Sequence, residues 1–267
     1  MDFSKKLVYI TGGGSGIGLE AGKRFLGEGA RLVVFDLRLR EEVLKSLRAV
    51  SGKEKVKSYP IDVTNPVNVR KAFAIASKEA GIPDLILNTA GIVSAVETMS
   101  LPDEEWDRVI KVNLYGSKNV ARAAGNLLRP GGRLALVASL AGIVGSYGYP
   151  AYAASKFAVV GFSQVLRMEW KQRNIGVSVI CPPEVETPMI VHERTYRPKV
   201  VGALKAFAGT LSVEEAVSGI MDGLRKEKFL IIPGARAKMT NFLVRFAPQW
   251  LNHLIADGIV KKALKEK

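Results

Sequence analysis

Short apolar runs rich in β-branched residues recur along this chain, separated by longer stretches whose apolar positions repeat with helical period. The runs are KLVYIT (6–11), RLVVFD (31–36), VKSYPID (56–62), DLILNTAG (84–91), RLALVAS (133–139), GVSVICP (176–182) and FLIIPG (229–234). Uninterrupted apolar strands signal burial on both faces, and hence a parallel sheet. The stretches between them have helical length. SGIGLEAGKRFLGEG (15–29) closes at Gly27 and Gly29, and EEWDRVIKVNLYGSKNVARAAGNLL (104–128) closes at Pro130-Gly131-Gly132. This alternation predicts a doubly wound α/β fold with a seven-stranded parallel sheet and helices on both faces.

Two segments break the pattern. Residues 183–211 carry Pro183, Pro188 and Pro198 and show no strand pattern. They follow the C-terminal end of a strand, where ligands bind in such sheets, and are expected to form a substrate lid. Residues 237–267 place Leu251, Leu254, Ile255 and Ile259 at helical spacing after Pro248, followed by Lys261, Lys262, Lys265 and Lys267. This basic amphipathic extension suits either peripheral contact with a membrane surface or packing on its own domain or a sister subunit. Arg245 and Asp257 argue against a full span. No internal repeat or Gly/Ser-rich linker divides residues 1–236, which read as one domain.

Composition narrows the picture. The chain has 267 residues, 48% of them hydrophobic, enough for one large core. Cys181 is the only cysteine and His192 and His253 the only histidines, which excludes an intrachain disulfide and leaves no set of zinc ligands. The apolar run before Thr11 is too short for a secretory signal, and LALVASLAGIVGSYG (134–148) falls short of a membrane span. A cytoplasmic setting, with or without peripheral attachment to a membrane, is expected. The formal charge of +14 is densest beyond Arg194. It comes with no helix-turn-helix, finger or RNA-binding signature, so nucleic acid is not expected as a partner.

TGGGSGIG (11–18) follows the first strand and opens the first helix. Gly12, Gly16 and Gly18 let the backbone approach a pyrophosphate, and the helix start offers unpaired N–H groups. Gly14, Ser15 and Ile17 complete the turn. The second strand ends in Asp36, a carboxylate suited to both ribose hydroxyls of an adenosine. It also repels a 2′-phosphate, and neither Leu37 nor Ser15 can grip one, whereas Arg38 can swing in. NAD(H) is therefore favoured, with NADP(H) second. Asp62 and Val63, at the end of the third strand, either meet the adenine edge or start the next helix. This phosphate-binding turn makes the expected fold Rossmann-type.

YAASK (152–156) places Tyr152 and Lys156 on one helical face. A phenol ordinarily titrates near ~10, and a neighbouring ammonium favours the phenolate. Such a pair can donate a proton in ketone reduction and accept one in alcohol oxidation. Ser139, thirteen residues earlier at a strand end, can hold the substrate oxygen. Asn113, a poor helix former inside 104–128, can bind a water that relays protons to Lys156. Each also has a plain structural reading, as a turn cap or a surface residue.

Taken together, these residues resemble the short-chain dehydrogenase/reductase family over about residues 4 to 235. The glycine turn, Asp62 and NTAG (88–91) match family motifs, and the four catalytic positions fall on Asn113, Ser139, Tyr152 and Lys156. The resemblance implies that Asn88, Ala90 and Gly91 lie beside the cofactor and that Lys156 binds the nicotinamide ribose and lowers the tyrosine pKa. It also implies that Pro182, Val185 and Thr187 border the nicotinamide. PPEVETP (182–188) replaces the family's usual Pro-Gly and resembles the 3-ketodihydrosphingosine reductase branch, which typically uses NADPH; Asp36 speaks against that choice. The implied substrate is a long-chain, lipid-like 3-keto compound. Met189, Ile190, Leu204, Phe207, Phe242, Phe246 and Trp250 are candidates to line its path. A 3-oxoacyl thioester reductase, a small alcohol dehydrogenase and a nucleotide-sensing binding protein are the alternatives. A homodimer or homotetramer is the family expectation.

Overall fold

The computed structural model describes residues 1–52 and 55–265; Lys267, the last cation of the tail, lies outside them. In chain order the strands are β1 (Leu7–Thr11), β2 (Arg31–Asp36), β3 (Val56–Pro60), β4 (Leu85–Asn88), β5 (Arg133–Val137), β6 (Gly176–Ile180), β7 (Glu184–Val185), β8 (Thr210–Leu211) and β9 (Leu230–Ile231). Seven of them form one parallel sheet in the order β3-β2-β1-β4-β5-β6-β9. The chain reverses direction across the sheet between β1 and β4, where Thr11 stands opposite both Phe35 and Asn88. Ligands bind at such a switch point, beyond the carboxyl ends of the strands.

Alternate residues of each strand feed two separate cores. Leu7 and Tyr9 join one with Val69 and Phe73 of α3 (Pro66–Glu79), Val120 and Ala124 of α5 (Gly116–Leu127), and Val159 and Leu166 of α6 (Pro150–Lys171). Val8 and Ile10 join the other with Phe25 of α1 (Gly16–Gly27), Leu47 of α2 (Glu41–Ser51) and Ile220 of α9 (Val213–Arg225). Burial on both faces is why the strands read as continuous apolar runs.

Three expectations change. The strand expected over 84–91 stops at Asn88, because Thr89 to Gly91 leave the ladder to meet the glycine turn. The single helix expected over 104–128 is α4 (Asp103–Ile110) and α5 joined by a π-helical turn, Lys111–Tyr115, with Asn113 inside it. Such turns insert one extra residue and mark functional sites. The lid is not an irregular loop. It holds α7 (Pro188–Glu193) and α8 (Lys199–Ala208) between β7 and β8, which pair as a two-stranded parallel ribbon. Two of its prolines start helices here: Pro188 follows the N-cap Thr187, and Pro198 is itself the N-cap of α8.

The C-terminal extension folds as α10 (Ala235–Phe246) and α11 (Gln249–Lys265), packed against α8. Among the described residues, no helix is long and apolar enough to cross a membrane.

Candidate active site

A cavity of about 690 Å³ runs along the carboxyl ends of β1, β4, β5 and β6. At one end lies the glycine turn. Gly12 has φ +69°, and a Cβ there would stand 2.6 Å from the Ala90 nitrogen; a Cβ on Gly18 would strike the Gly12 carbonyl. Thr89 donates its hydroxyl to the carbonyls of Thr11 (2.7 Å) and Gly12 (3.1 Å), so this departure from the commoner motif pins the turn to β4. Ser15 is the N-cap of α1 and makes no side-chain capping bond, which leaves first-turn N–H groups for an anion.

Asp36 lines the cavity beside Leu37. Its Oδ2 accepts from the Gly14 N–H at 2.8 Å and its Oδ1 from the Arg38 N–H at 3.2 Å. Asp62 is exposed and caps a turn, accepting from the Thr64 N–H and hydroxyl at 2.8 Å each. The cap of α3 is Asn65 instead. Val63 is buried against Gly116 of α5. Ile17, Ala90, Gly91, Pro182, Val185 and Thr187 all border the cavity, and Thr187 packs against Gly16. A turn no side chain can enter, open helix donors and a carboxylate at the ribose position fit a dinucleotide.

Across the cavity, Ser139, Tyr152 and Lys156 converge from the end of β5 and from α6. Ser139 caps the short 3₁₀ turn after β5 by accepting from Ala141 N–H at 3.1 Å, and its hydroxyl neighbours the Tyr152 phenol. Lys156 donates to the Val137 carbonyl at 3.1 Å, and its ammonium lies 5.6 Å from the centre of the Tyr152 ring. Gly91 separates Lys156 from Asn113; a Cβ there would meet Asn113 Oδ1 at 3.1 Å and Lys156 Nζ at 3.3 Å.

Asn113 is committed to protein partners. Its Oδ1 accepts from the Ile92 N–H at 2.8 Å, and its Nδ2 donates to the Ile92 carbonyl and the Ser155 hydroxyl, both at 3.0 Å. Ser155 in turn donates to the Tyr152 carbonyl at 2.7 Å. On the other side, Asn88 accepts from Thr11 and donates to Ser117, whose hydroxyl donates to the Asn113 carbonyl at 2.6 Å. One polar chain therefore ties the central strand, through the π-helical turn, to the first turn of α6. Ser117 and Ser155 were not foreseen, although Ser155 sits inside YAASK.

The electrostatics correct one expectation. Burial, rather than the neighbouring ammonium, dominates the titration of the Tyr152 phenol. Burial pushes the phenol up to about 12, the nearby Ser139 hydroxyl pulls it down, and the Glu193 carboxylate adds to the rise. Burial likewise brings the Lys156 ammonium down to about 8 and pushes the Cys181 thiol up to about 12. Desolvation is the largest contribution for all three groups.

The candidate lining residues divide. Met189, Ile190, Leu204 and Phe207 border the cavity, whereas Phe242, Phe246 and Trp250 point outward and are 60%, 67% and 67% exposed. Leu243 and Val244 of α10 and Ile255 and Ile259 of α11 take their place. Residues four apart share a helix face, so turning 243 and 244 inward turns 242 and 246 out together.

A glycine-lined dinucleotide cradle facing a half-buried tyrosine and a buried lysine, on a doubly wound parallel sheet, defines an oxidoreductase of the Rossmann type. Residues 6–197 match the model of the short chain dehydrogenase family, and the chain belongs to that family. It is 36% identical to a 3-dehydrosphinganine reductase of Arabidopsis thaliana, over 84% of this chain and 69% of the relative. It is 32% identical to an NAD-dependent glycerol dehydrogenase of Listeria innocua, over 70% of this chain and 74% of the relative. A short chain dehydrogenase/reductase from Burkholderia phymatum, solved in complex with NAD, shares the fold with a TM-score of 0.79 at 23% identity, covering 91% of this chain and 94% of the other.

Proposed function

We propose that this chain interconverts a long-chain, lipid-like 3-keto compound and its secondary alcohol, using NAD(H) in preference to NADP(H). The observation that carries the reading is a single cavity that passes from the glycine turn, past Tyr152, to the apolar side chains of Leu204, Phe207, Leu243 and Ile259. The end of the cavity beyond Tyr152, with that apolar lining, suits a hydrocarbon chain. The name of the Arabidopsis relative agrees with this substrate class. The name of the Listeria relative supports a small polyol as the second reading, and an NAD preference.

The glycine turn and the α1 N-terminus bind the pyrophosphate, and Asp36 receives the adenosine ribose. When bound, the nicotinamide supplies or takes the hydride. Ser139 holds the carbonyl oxygen, and Tyr152 gives that oxygen its proton, or takes one from the alcohol in reverse. Lys156 holds the nicotinamide ribose. Asn113 acts by fixing Ile92 and the first turn of α6.

The tail serves lipid entry. Met239, Phe242, Phe246, Trp250 and Leu254 form an outward apolar face, and exposed Arg236, Lys238, Arg245, Lys261, Lys262 and Lys265 flank it. Apolar side chains among cations suit an anionic bilayer surface.

Initial rates on 3-ketones of increasing chain length test the substrate class. Burial of each methylene contributes about 0.8 kcal/mol, so kcat/KM rises roughly fourfold per added carbon until the cavity is filled. A flat series favours the small-alcohol reading instead. Tyr152→Phe loses about 10²–10⁴-fold in turnover while nucleotide binding persists; unchanged turnover removes Tyr152 from its role.

A further inference from the structure

The lid carries a buried charge cluster that none of these roles uses. Glu184 on β7 and Glu193 on α7 are 8% and 0% exposed. Arg197 reaches Glu184 at 2.7 Å and Glu193 at 3.2 Å, and Lys205 of α8 reaches them at 2.8 and 3.5 Å. Arg194 joins Glu184 to Glu186. The remaining donor to Glu193 comes from outside the lid. It is the hydroxyl of Tyr149, the N-cap residue of α6.

Tyr149 is 2% exposed, and its ring centre lies 5.6 Å from that of Tyr152, three residues further along. The Lys205 ammonium sits 4.9 Å over the same Tyr149 ring. A continuous path thus runs from the lid cations through Glu193 and Tyr149 to the catalytic phenol, and every member is fixed by at least two contacts. The Glu193 carboxylate, one tyrosine ring away from Tyr152, opposes ionisation of that phenol.

We propose that Tyr149 and Glu193 are positioning residues: with the lid closed, they orient the Tyr152 ring and hold its hydroxyl in the protonated form that donates to a carbonyl oxygen. The idea rests on the Tyr152 role proposed above. Other groups share the same surroundings. Ser139, Lys156 and Cys181 face Tyr152, and Glu193 lies among the charges that raise its titration. Arg197, Lys205 and Tyr196 face Glu193; Glu105 and Arg108 of α4 approach through Tyr196, and Glu184 shares the cations. Substitution of Glu193 alone leaves the rest of this set in place.

The test is the pH profile of alcohol oxidation, whose rising limb reports loss of the phenol proton. Glu193→Gln keeps an acceptor for the Tyr149 hydroxyl but removes the charge, so the limb moves to lower pH by about one unit. Tyr149→Phe removes the donor and leaves the charge less screened, so the limb moves to higher pH and kcat falls more than KM changes. Opposite displacements support the proposal, because a purely structural role lowers the rate at every pH alike. Two limbs that superimpose on the wild type after scaling overturn it. If the glutamine variant does not fold, Tyr149→Phe decides alone. Tyr152→Phe is run beside them: normal turnover there overturns the whole site reading, whereas a silent Tyr152→Phe with unmoved limbs overturns only the coupling.

Discussion

Asp36 spends one oxygen on the Gly14 N–H and the other on the Arg38 N–H. Each keeps lone pairs for a ribose hydroxyl. Its substitution therefore touches two things at once, the turn and the sugar. Asp36→Ala is expected to weaken NAD(H) binding and shift the NAD(H)/NADP(H) affinity ratio about tenfold towards NADP(H), or about 1.4 kcal/mol. Titrations with both cofactors check this, and a wild type that already prefers NADP(H) tenfold refutes the cofactor reading. At this scale much was legible. A strand end exposes Asp36 and Ser139, and a spacing of four aligns Tyr152 with Lys156, because both follow from local geometry. The titration order was not legible. It depends on desolvation that only the folded chain produces. The Tyr149–Glu193 bond joins residues 44 apart through a loop and a helix whose positions no local pattern encodes.

At the scale of elements, the instructive case is PPEVETP. Read as a sequence, it is a departure from the family's usual Pro-Gly. In the fold its two acids anchor a closed lid, which turns an apparent departure into the reason that α7 and α8 can sit over the site. Burial alone would raise the Glu184 carboxyl, but hydrogen bonds from Lys205, Arg194 and Arg197 outweigh it and hold it down at about 2. A carboxyl held below its ordinary 4.5 contributes stability that is complete above that value and fades as pH falls towards about 2. The lid is accordingly expected to become protease-sensitive across that window, and Glu184→Gln to be sensitive already at neutral pH. Equal cleavage of both proteins at pH 7 contradicts the anchoring role. The π-helical turn was hidden for a related reason. Sequence periodicity marks a helix over 104–128, but one inserted residue changes the period too little to be read. The fold requires it so that Asn113 points at Ile92 while α5 still packs on β4 and β5.

At the scale of the whole molecule, the doubly wound sheet and its strand positions followed from the apolar runs, since burial on both faces leaves a plain signature. The tail was only half legible. Its helical spacing was evident, but which face turned inward was decided by α8. That matters for testing, because removing residues 237–267 also removes Leu243, Val244, Ile255 and Ile259 from the cavity wall. Point substitutions separate the two roles. Phe246→Glu with Trp250→Glu is expected to abolish co-flotation with phosphatidylglycerol vesicles and to leave turnover of a short, soluble ketone within about twofold, as exposed sites tolerate substitution. Undiminished flotation retires the bilayer reading. Because α10 and α11 wall the chamber with one side and meet their surroundings with the other, a pull on the outer side is also a pull on the inner one. On the bilayer reading proposed above, adhesion and admission become a single mechanical event, and a bilayer gripping the hairpin would work as the handle of a door.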